Sequence, residues 1–310
     1  NIIKHQNKYF AISLVVIAIG IVFYFINGIQ LDVQFSGGTR IMIETNSEVD
    51  ANQAEVIVED VLGKSVTAQT QKTNNPDADD EVIYMLRLDI ASNETLTDEE
   101  RDLVIDLVTE HFDVKEGGNK EMLSVEPSIG RETLINGIKA VVIASVLIIL
   151  YVTWRFSAMH GLAAAITAVI ALGHDILTVF ALYTVFQFPL GEVFISAVLT
   201  IIGYSLNDTI IIYDRIRENT KLMRKSSLDE IVNTSINQSL TRTLNTATTT
   251  LITIITLYIF ASVNNITSLV EFSLPLIVGF ISGVYSTVFI ASPLWLKWRK
   301  RSMKKALKSA

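Results

Sequence analysis

Residues 191–219 read GEVFISAVLTIIGYSLNDTIIIYDRIREN, an apolar run over 193–213 that is broken by Asn207 and Asp208 and closed by charge. About 20 residues at about 1.5 Å each cross a hydrocarbon core of roughly 30 Å, so the run predicts a membrane helix. An Asp inside such a helix costs about 2.5 to 3.5 kcal/mol on insertion scales; it must be paired, hydrated or kept for function. Ser196, Thr200, Gly203 and Asn207 recur on one stripe, with Asp208 immediately after. That spacing sets a carboxylate and an amide side by side, toward the last third of the predicted span.

Five further apolar runs of similar length lie to either side, at 10–29, 134–154, 160–184, 244–262 and 275–296. Half of the 310 residues are hydrophobic, only 18% are charged, and the mean hydropathy of +0.41 excludes a soluble single-domain protein. The first run is too long for a signal-peptide core and lacks a small-x-small cleavage site, so a retained helix is expected. The absence of Cys removes disulfide frameworks, Cys-ligated zinc and thiol catalysis together. No phosphate loop, H-E-x-x-H or G-x-S-x-G element occurs, so neither enzyme activity nor a cofactor is expected.

Charge divides the chain. Residues 30–132 hold 24 Asp and Glu against 8 Lys and Arg, a net of −16, and the remainder holds 8 against 17, a net of +9. The basic residues flank alternate apolar runs: Lys4 and Lys8, then Arg155, then Arg215, Arg217, Lys221, Arg224 and Lys225, then KWRKRSMKKALK at 297–308. The positive-inside rule puts these loops and both termini in the cytoplasm and the acidic block outside. Because the cations adjoin apolar runs and are not interleaved with aromatics, a nucleic-acid partner is not expected.

Within the acidic block, VQFSGGTRIMIET (33–45) alternates as a strand, and DANQAEVIVEDVLG has helical period and ends at Gly63. SVTAQTQK and EVIYMLRLDI read as strands flanking the turn-rich NNPDADD, a helix opens at Thr97 with a capping box to Glu100, and EMLSVEPS closes as a strand. The order β-α-β-β-α-β predicts a ferredoxin-like α+β domain. The expected organisation is thus residues 1–29 as N-terminus and first span, 30–132 as the extracytoplasmic domain, 133–297 as the remaining five helices, and 298–310 as a basic tail. Its acidity is read as a solvated face, Gly37 and Gly38 as a strand kink, and Glu271 in the last outer loop as a solvated residue.

Two other spans carry polar information. Gly161, Ala164, Ala168, Ala171 and Asp175 follow steps of three and four, so the carboxylate shares a close-packing face of small residues. His174 beside it is read as a packing hydrogen-bonder, since no second His stands at metal-ligand spacing and no metal is expected. Ser239, Arg242, Thr246, Thr249, Thr253 and Thr256 predict a hydrogen-bonding face directed into the bundle and carrying one Arg. An Arg stays charged, whereas a carboxylate beside it can exchange its partner for a proton. Such a pair conducts protons or statically joins two helices; alternatively Arg215 or Arg217 anchors Asp208. Gly279 and Gly283 in GFISG form a G-x-x-x-G element, a face for close helix approach.

The ordered motifs FSGGT (35–39), EPSIGRETL (126–134), GHD (173–175), GYSLNDTIIIYDRIREN (203–219), SLTRTLNTATTTL (239–251) and GVYSTVFIASPLW (283–295) resemble the SecF family over nearly the whole chain. That resemblance implies a subunit of the resistance-nodulation-division superfamily in the bacterial cytoplasmic membrane. With SecD, as a separate subunit or the other half of one fused chain, such a subunit assists the SecYEG translocon in exporting unfolded preproteins at the expense of the proton-motive force. It also implies Asp208 and Arg242 as proton-conducting groups, with Asn207 adjacent and Asp175 as a further candidate. The chain departs from the family where Gln34 replaces an Asp before Phe35, with Asp32 two residues earlier, and where Val125-Glu126-Pro127 replaces V-G-P. Two alternatives carry less weight. A small-molecule efflux half predicts a larger outer domain with a drug-sized pocket, and an intramembrane aspartyl protease predicts a GxGD element where this chain has GHD and LND.

Overall fold

The computed structural model describes residues 2–74, 82–91, 95–264 and 266–309. The NNPDADD turn falls, from Asn75 onward, outside the described residues. Among the described residues, six helical stretches have the length and hydropathy to cross a membrane: Ile3–Asn27, Pro127–Arg155, Gly161–Phe186, Glu192–Leu222, Leu228–Val263 and Ser268–Lys304. Helix α1 (Gln6–Asn27) leads into a short helix α2 (Val33–Ser36), and then strand β1 (Gly38–Thr45), helix α3 (Ala51–Leu62), strands β2 (Val66–Asn74) and β3 (Val82–Ala91), helix α4 (Asp98–His111) and strand β4 (Lys120–Val125) build the acidic block. The chain returns through α5 (Pro127–Arg155), α6 (Gly161–Phe186), α7 (Glu192–Leu222), α8 (Leu228–Val263), α9 (Thr267–Ser286) and α10 (Ser292–Ser309).

One expected element is shorter. The alternation over 33–45 predicts a single strand, but Val33–Ser36 is a helical turn and the strand begins at Gly38. The Asp32 carboxylate accepts the Gln34 amide and caps that turn, and Gly37 (φ 77°) and Gly38 (φ 125°) then reverse the chain. Only glycine adopts these angles readily. Gly37 is also pressed on Pro127: a Cβ there would sit 2.5 Å from its Cα.

The four strands pair antiparallel in the order β2-β3-β1-β4. Ile41, Ile43, Leu86, Leu88 and Ile90 are at most 1% exposed and pack with Val58 of α3 and Val104 of α4, so both helices cover one face. Local caps end the helices where the sequence predicts. Asp50 accepts the Asn52 and Gln53 amides and Gly63 closes α3 in the left-handed region, while Thr97 and Glu100 form the complete capping box of α4.

In the helical part, α6 and α7 are central and α1 and α5 peripheral. Half of the apolar window of α6 is buried and none of that of α5 is, which leaves side chains such as Trp154 and Leu147 facing outward as lipid-facing residues do. Close approaches rest on small residues. Gly20 on α1 meets Ala181 on α6 so tightly that a Cβ would stand 2.5 Å from the alanine methyl, and Gly279 on α9 has no room beside Ile201 on α7. Between α9 and α10 the chain makes a π-turn over Thr287–Ala291. Pro293 accounts for it, since proline has no amide for the Phe289 carbonyl and its ring pushes that turn wide.

Candidate functional site

Asp175 sits in the middle of α6, fully buried, on the face that its small neighbours open. Three hydroxyls donate to it: Ser205 from α7 at 2.8 Å, and Ser282 at 2.6 Å and Ser286 at 2.8 Å from α9. His174 Nδ1 lies 3.3 Å from the same carboxylate and its ring stacks on Tyr285, a packing role as expected. Asp175 therefore ties three spans together through satisfied bonds. Further along the same seam Thr209 meets Thr287 at 3.0 Å, and Tyr213 meets Thr167 at 2.8 Å. Sequence reasoning missed this set, although Ser205, Thr209 and Tyr213 follow steps of four, as do Ser282 and Ser286.

Asp208 is the opposite case. It is fully buried on α7, and neither carboxylate oxygen has a hydrogen-bond partner among the described residues. Arg215 bonds Glu218 and Gln238, and Arg217 pairs with Asp214, which Arg155 also holds. The arginines considered as anchors of Asp208 are thus engaged elsewhere. Helix α7 runs on through the charged segment to Leu222, so Asp208 stands near the helix midpoint and not in its last third. Asp208 and Arg242 are each 14 residues from the turn joining α7 to α8, about 21 Å along either helix. They share a depth but form no ion pair. Arg242 opens instead into a cleft of about 740 Å³ with Asp214, Arg215, Arg217, Glu218 and Lys221.

Two expectations need correction. Most of the polar face of α8 does not point into the bundle: Ser239 is buried and Thr246 half-buried, but Arg242, Thr249, Thr253 and Thr256 are exposed in this chain, and so are Ser196, Thr200, Gly203 and Asn207 on α7. Gly203, expected to pack a helix, meets nothing within 4 Å where its Cβ would be, whereas Gly279 and Gly283 do approach α7, at Ile201 and Ser205. A helix stripe of small and hydroxyl residues suits any close helix neighbour, and its period carries no information about whether that neighbour is in the same chain.

Glu271 is the other correction, being engaged and not merely solvated. A cluster of charge joins the sheet to the helices: Arg40 bonds Asp32 and Asp89, each at 2.6 Å, Arg87 bonds the same two carboxylates at 3.0 and 2.7 Å, and Arg87 Nη1 lies 3.4 Å from Glu271 at the start of α9. Burial works against the charge of Arg40, and the bonds and charges of Asp89 and Asp32 outweigh it, so its pKa is raised.

Residues 105–301 match the family model described as protein export membrane protein SecD/SecF, C-terminal. The chain belongs to the SecD/SecF family. Among its relatives, the protein translocase subunit SecDF of Bacillus subtilis is 34% identical over 307 residues, which are 97% of this chain and 38% of that protein. The protein translocase subunit SecF of Alicyclobacillus acidocaldarius is 32% identical over 314 residues, covering 99% of this chain and 95% of the relative. The crystal structure of SecDF, a translocon-associated membrane protein of Thermus thermophilus, superposes with a TM-score of 0.79 at 28% identity, over 97% of this chain and 38% of that one. The chain thus corresponds to a SecF subunit or to the SecF half of a SecDF protein, and it is a multi-pass membrane protein.

Proposed function

We propose that the chain is an accessory subunit of Sec-dependent protein export which, with a SecD subunit or half, couples the proton-motive force to movement of its outer domain. The observation that carries the reading is Asp208: a carboxyl out of water with no donor on either oxygen, at the depth of an Arg on the neighbouring helix. Such a group must take up a proton, a partner or water. Proton arrival and departure then make and break its attraction to Arg242, which shifts α8 against α7. Asn207 lies beside this pair, and Asp175, fixed by three hydroxyls, ties α7 to α9 so that the shift is passed on. Helix α9 carries Glu271, whose contact with Arg87 leads to β3. Each charge that crosses 100 mV is worth about 2.3 kcal/mol, enough to drive a change of this size.

Several finer assignments belong to the same reading. We read the outer domain, 30–132, as ferredoxin-like and extracytoplasmic, with 1–29, 133–297 and 298–310 as the membrane part and tail, both termini in the cytoplasm. Its sheet order and its two helices on one face support that. The exposed stripes on α7 and α8 are the surface on which SecD sits, because the Asn207 amide and the Arg242 guanidinium would be costly facing lipid, and the small and hydroxyl residues around them, whose hydroxyls bond their own helix, allow a close helix neighbour. SecYEG and unfolded preproteins are the further partners.

The test is proton-dependent secretion in inverted vesicles with the SecD partner present, comparing wild type with Asp208→Asn and Arg242→Met. Loss of the response to the gradient in both variants, with normal insertion, is expected. Gradient dependence retained in both would make the pair structural and overturn the assignment.

A further inference from the structure

Between the outer sheet and the helices lies a second cleft of about 740 Å³, with β2 on one side and the ends of α6, α8 and α9 on the other. Strand β2 is an edge strand. Its Ala68 amide turns away from β3 and bonds the Glu55 carboxylate, so by the two-residue period of a strand the amides and carbonyls of Thr70 and Lys72 also face outward. Both residues line the cleft, and no backbone partner meets these groups there among the described residues. The facing wall is apolar, formed by Phe188, Tyr258, Val270, Leu274 and Pro275. Glu271 stands within it, its side chain 37% exposed and, among the described residues, bonded through the long contact to Arg87.

An unpaired strand edge in a cleft is a template for one more strand. A lipid chain would satisfy the apolar wall and leave the backbone groups of Thr70 and Lys72 unpaired against it. We propose that this cleft binds an extended polypeptide segment, which adds to β2 as a further strand at Thr70 and Lys72, lays alternate apolar side chains on Tyr258, Val270 and Leu274, and places a basic side chain beside Glu271. The inference rests on the export reading above and names where this subunit would hold an unfolded chain. The occupant is selected by backbone, alternation and charge, not by a sequence motif, as suits a site that accepts many chains. The net charge of −16 over residues 30–132 favours the approach of cationic segments.

The experiment uses the chain with its SecD partner in nanodiscs and no proton gradient. The probe is a fluorescent peptide about as long as β2, alternating Val and Thr with one central Arg, and the readout is anisotropy. Saturable binding is expected. N-methylation of the alternate amides that face β2 should weaken it about tenfold or more, from the loss of two hydrogen bonds of about 1 kcal/mol each, while methylation of the other register changes nothing. The variant Lys72→Pro removes an outward amide, is tolerated on an edge strand, and should weaken the unmodified probe alone. Replacing the central Arg by Glu should weaken binding further at low salt. No saturable binding, equal loss in both methylation registers, or quenching of a label at Gln71 by brominated acyl chains that the peptide does not relieve would each overturn the proposal. Since no gradient is involved, its failure is separate from a failure of the Asp208 assignment.

Discussion

Asp175 and Asp208 are both fully buried, on adjacent spans, and differ in one respect: among the described residues the first has three hydroxyl donors and the second none. A buried acceptor that loses its donors, or donors that lose their acceptor, cost about 1 to 3 kcal/mol per group. Asp175→Ala removes the shared acceptor of Ser205, Ser282 and Ser286 and with it the tie between three helices, and a clear fall in the melting temperature of the purified chain in detergent is expected. Ser282→Ala should cost less, since it removes one donor and leaves two. Equal melting of Asp175→Ala and wild type would show that the hydroxyl cluster does not join the spans. The glycines divide in the same way. A Cβ at Gly279 would stand 2.1 Å from Ile201 Cδ1, and at Gly203 it meets nothing. Gly279→Ala should therefore destabilise the chain by about 1 to 3 kcal/mol of overpacking. Gly203→Phe should leave its melting unchanged but reduce co-purification with SecD; unimpaired co-purification would remove the partner from that stripe.

At the scale of elements, the sheet domain depends on how β1 is held at its two ends. At the far end, Glu44 accepts from Lys115 at 2.8 Å and from the Asn119 amide at 2.8 Å, tying β1 to the segment that leads into β4. The Lys115 bond first, and the Asn119 bond after it, hold this carboxyl below its ordinary value of 4.5, against the effect of burial. A carboxylate with a lowered folded pKa contributes its stability above the unfolded value and loses it as pH falls through the folded one. The protection of the peptide 115–120 against hydrogen exchange, taken relative to the intrinsic rate at each pH, should accordingly fall as the pH is taken below about 4.5, and Glu44→Gln should flatten that dependence. An unchanged pH slope in the variant would place the sensitivity elsewhere. At the near end, Gly37 packs against Pro127 and leaves no slack between α2 and α5. The helix cap at Thr97 was legible in the sequence because a capping box is a contact within three residues. The turn at Val33–Ser36 was not, because strand alternation and a single capped helical turn are compatible with the same four residues.

The whole molecule is joined by the five-residue charge cluster, in which two guanidiniums hold Asp32, Asp89 and Glu271. Removing Arg87 leaves Asp32 and Asp89 with Arg40 alone and Glu271 with solvent, so it costs less than the roughly 3 to 5 kcal/mol of breaking an isolated buried pair. Arg87→Met should raise hydrogen exchange along β3 and at the start of α9 and leave α6 and α7 protected, and Arg87→Met with Asp89→Asn should recover part of the loss. Uniform exposure of the whole chain in the single variant would mean that the cluster supports the fold in general and not the joint between its two parts.

The sequence by itself determined the six spans, the acidic block between the first two, the order of its elements and the family, since hydropathy, period and caps are properties of residues near in the chain. It also marked Asp175, Asp208 and Arg242 as the ionisable groups to explain. Only the tertiary structure decided which polar faces are buried. The Ser205, Thr209 and Tyr213 face of α7 turns inward and the Ser196, Thr200, Gly203 and Asn207 face outward, although both are regular polar stripes. Only the fold brings Arg87 to Glu271 across 184 positions of sequence and opens a strand edge onto an apolar cleft. The physical reason is that a helix period states which residues share a face, while what that face meets is set by the packing of distant segments.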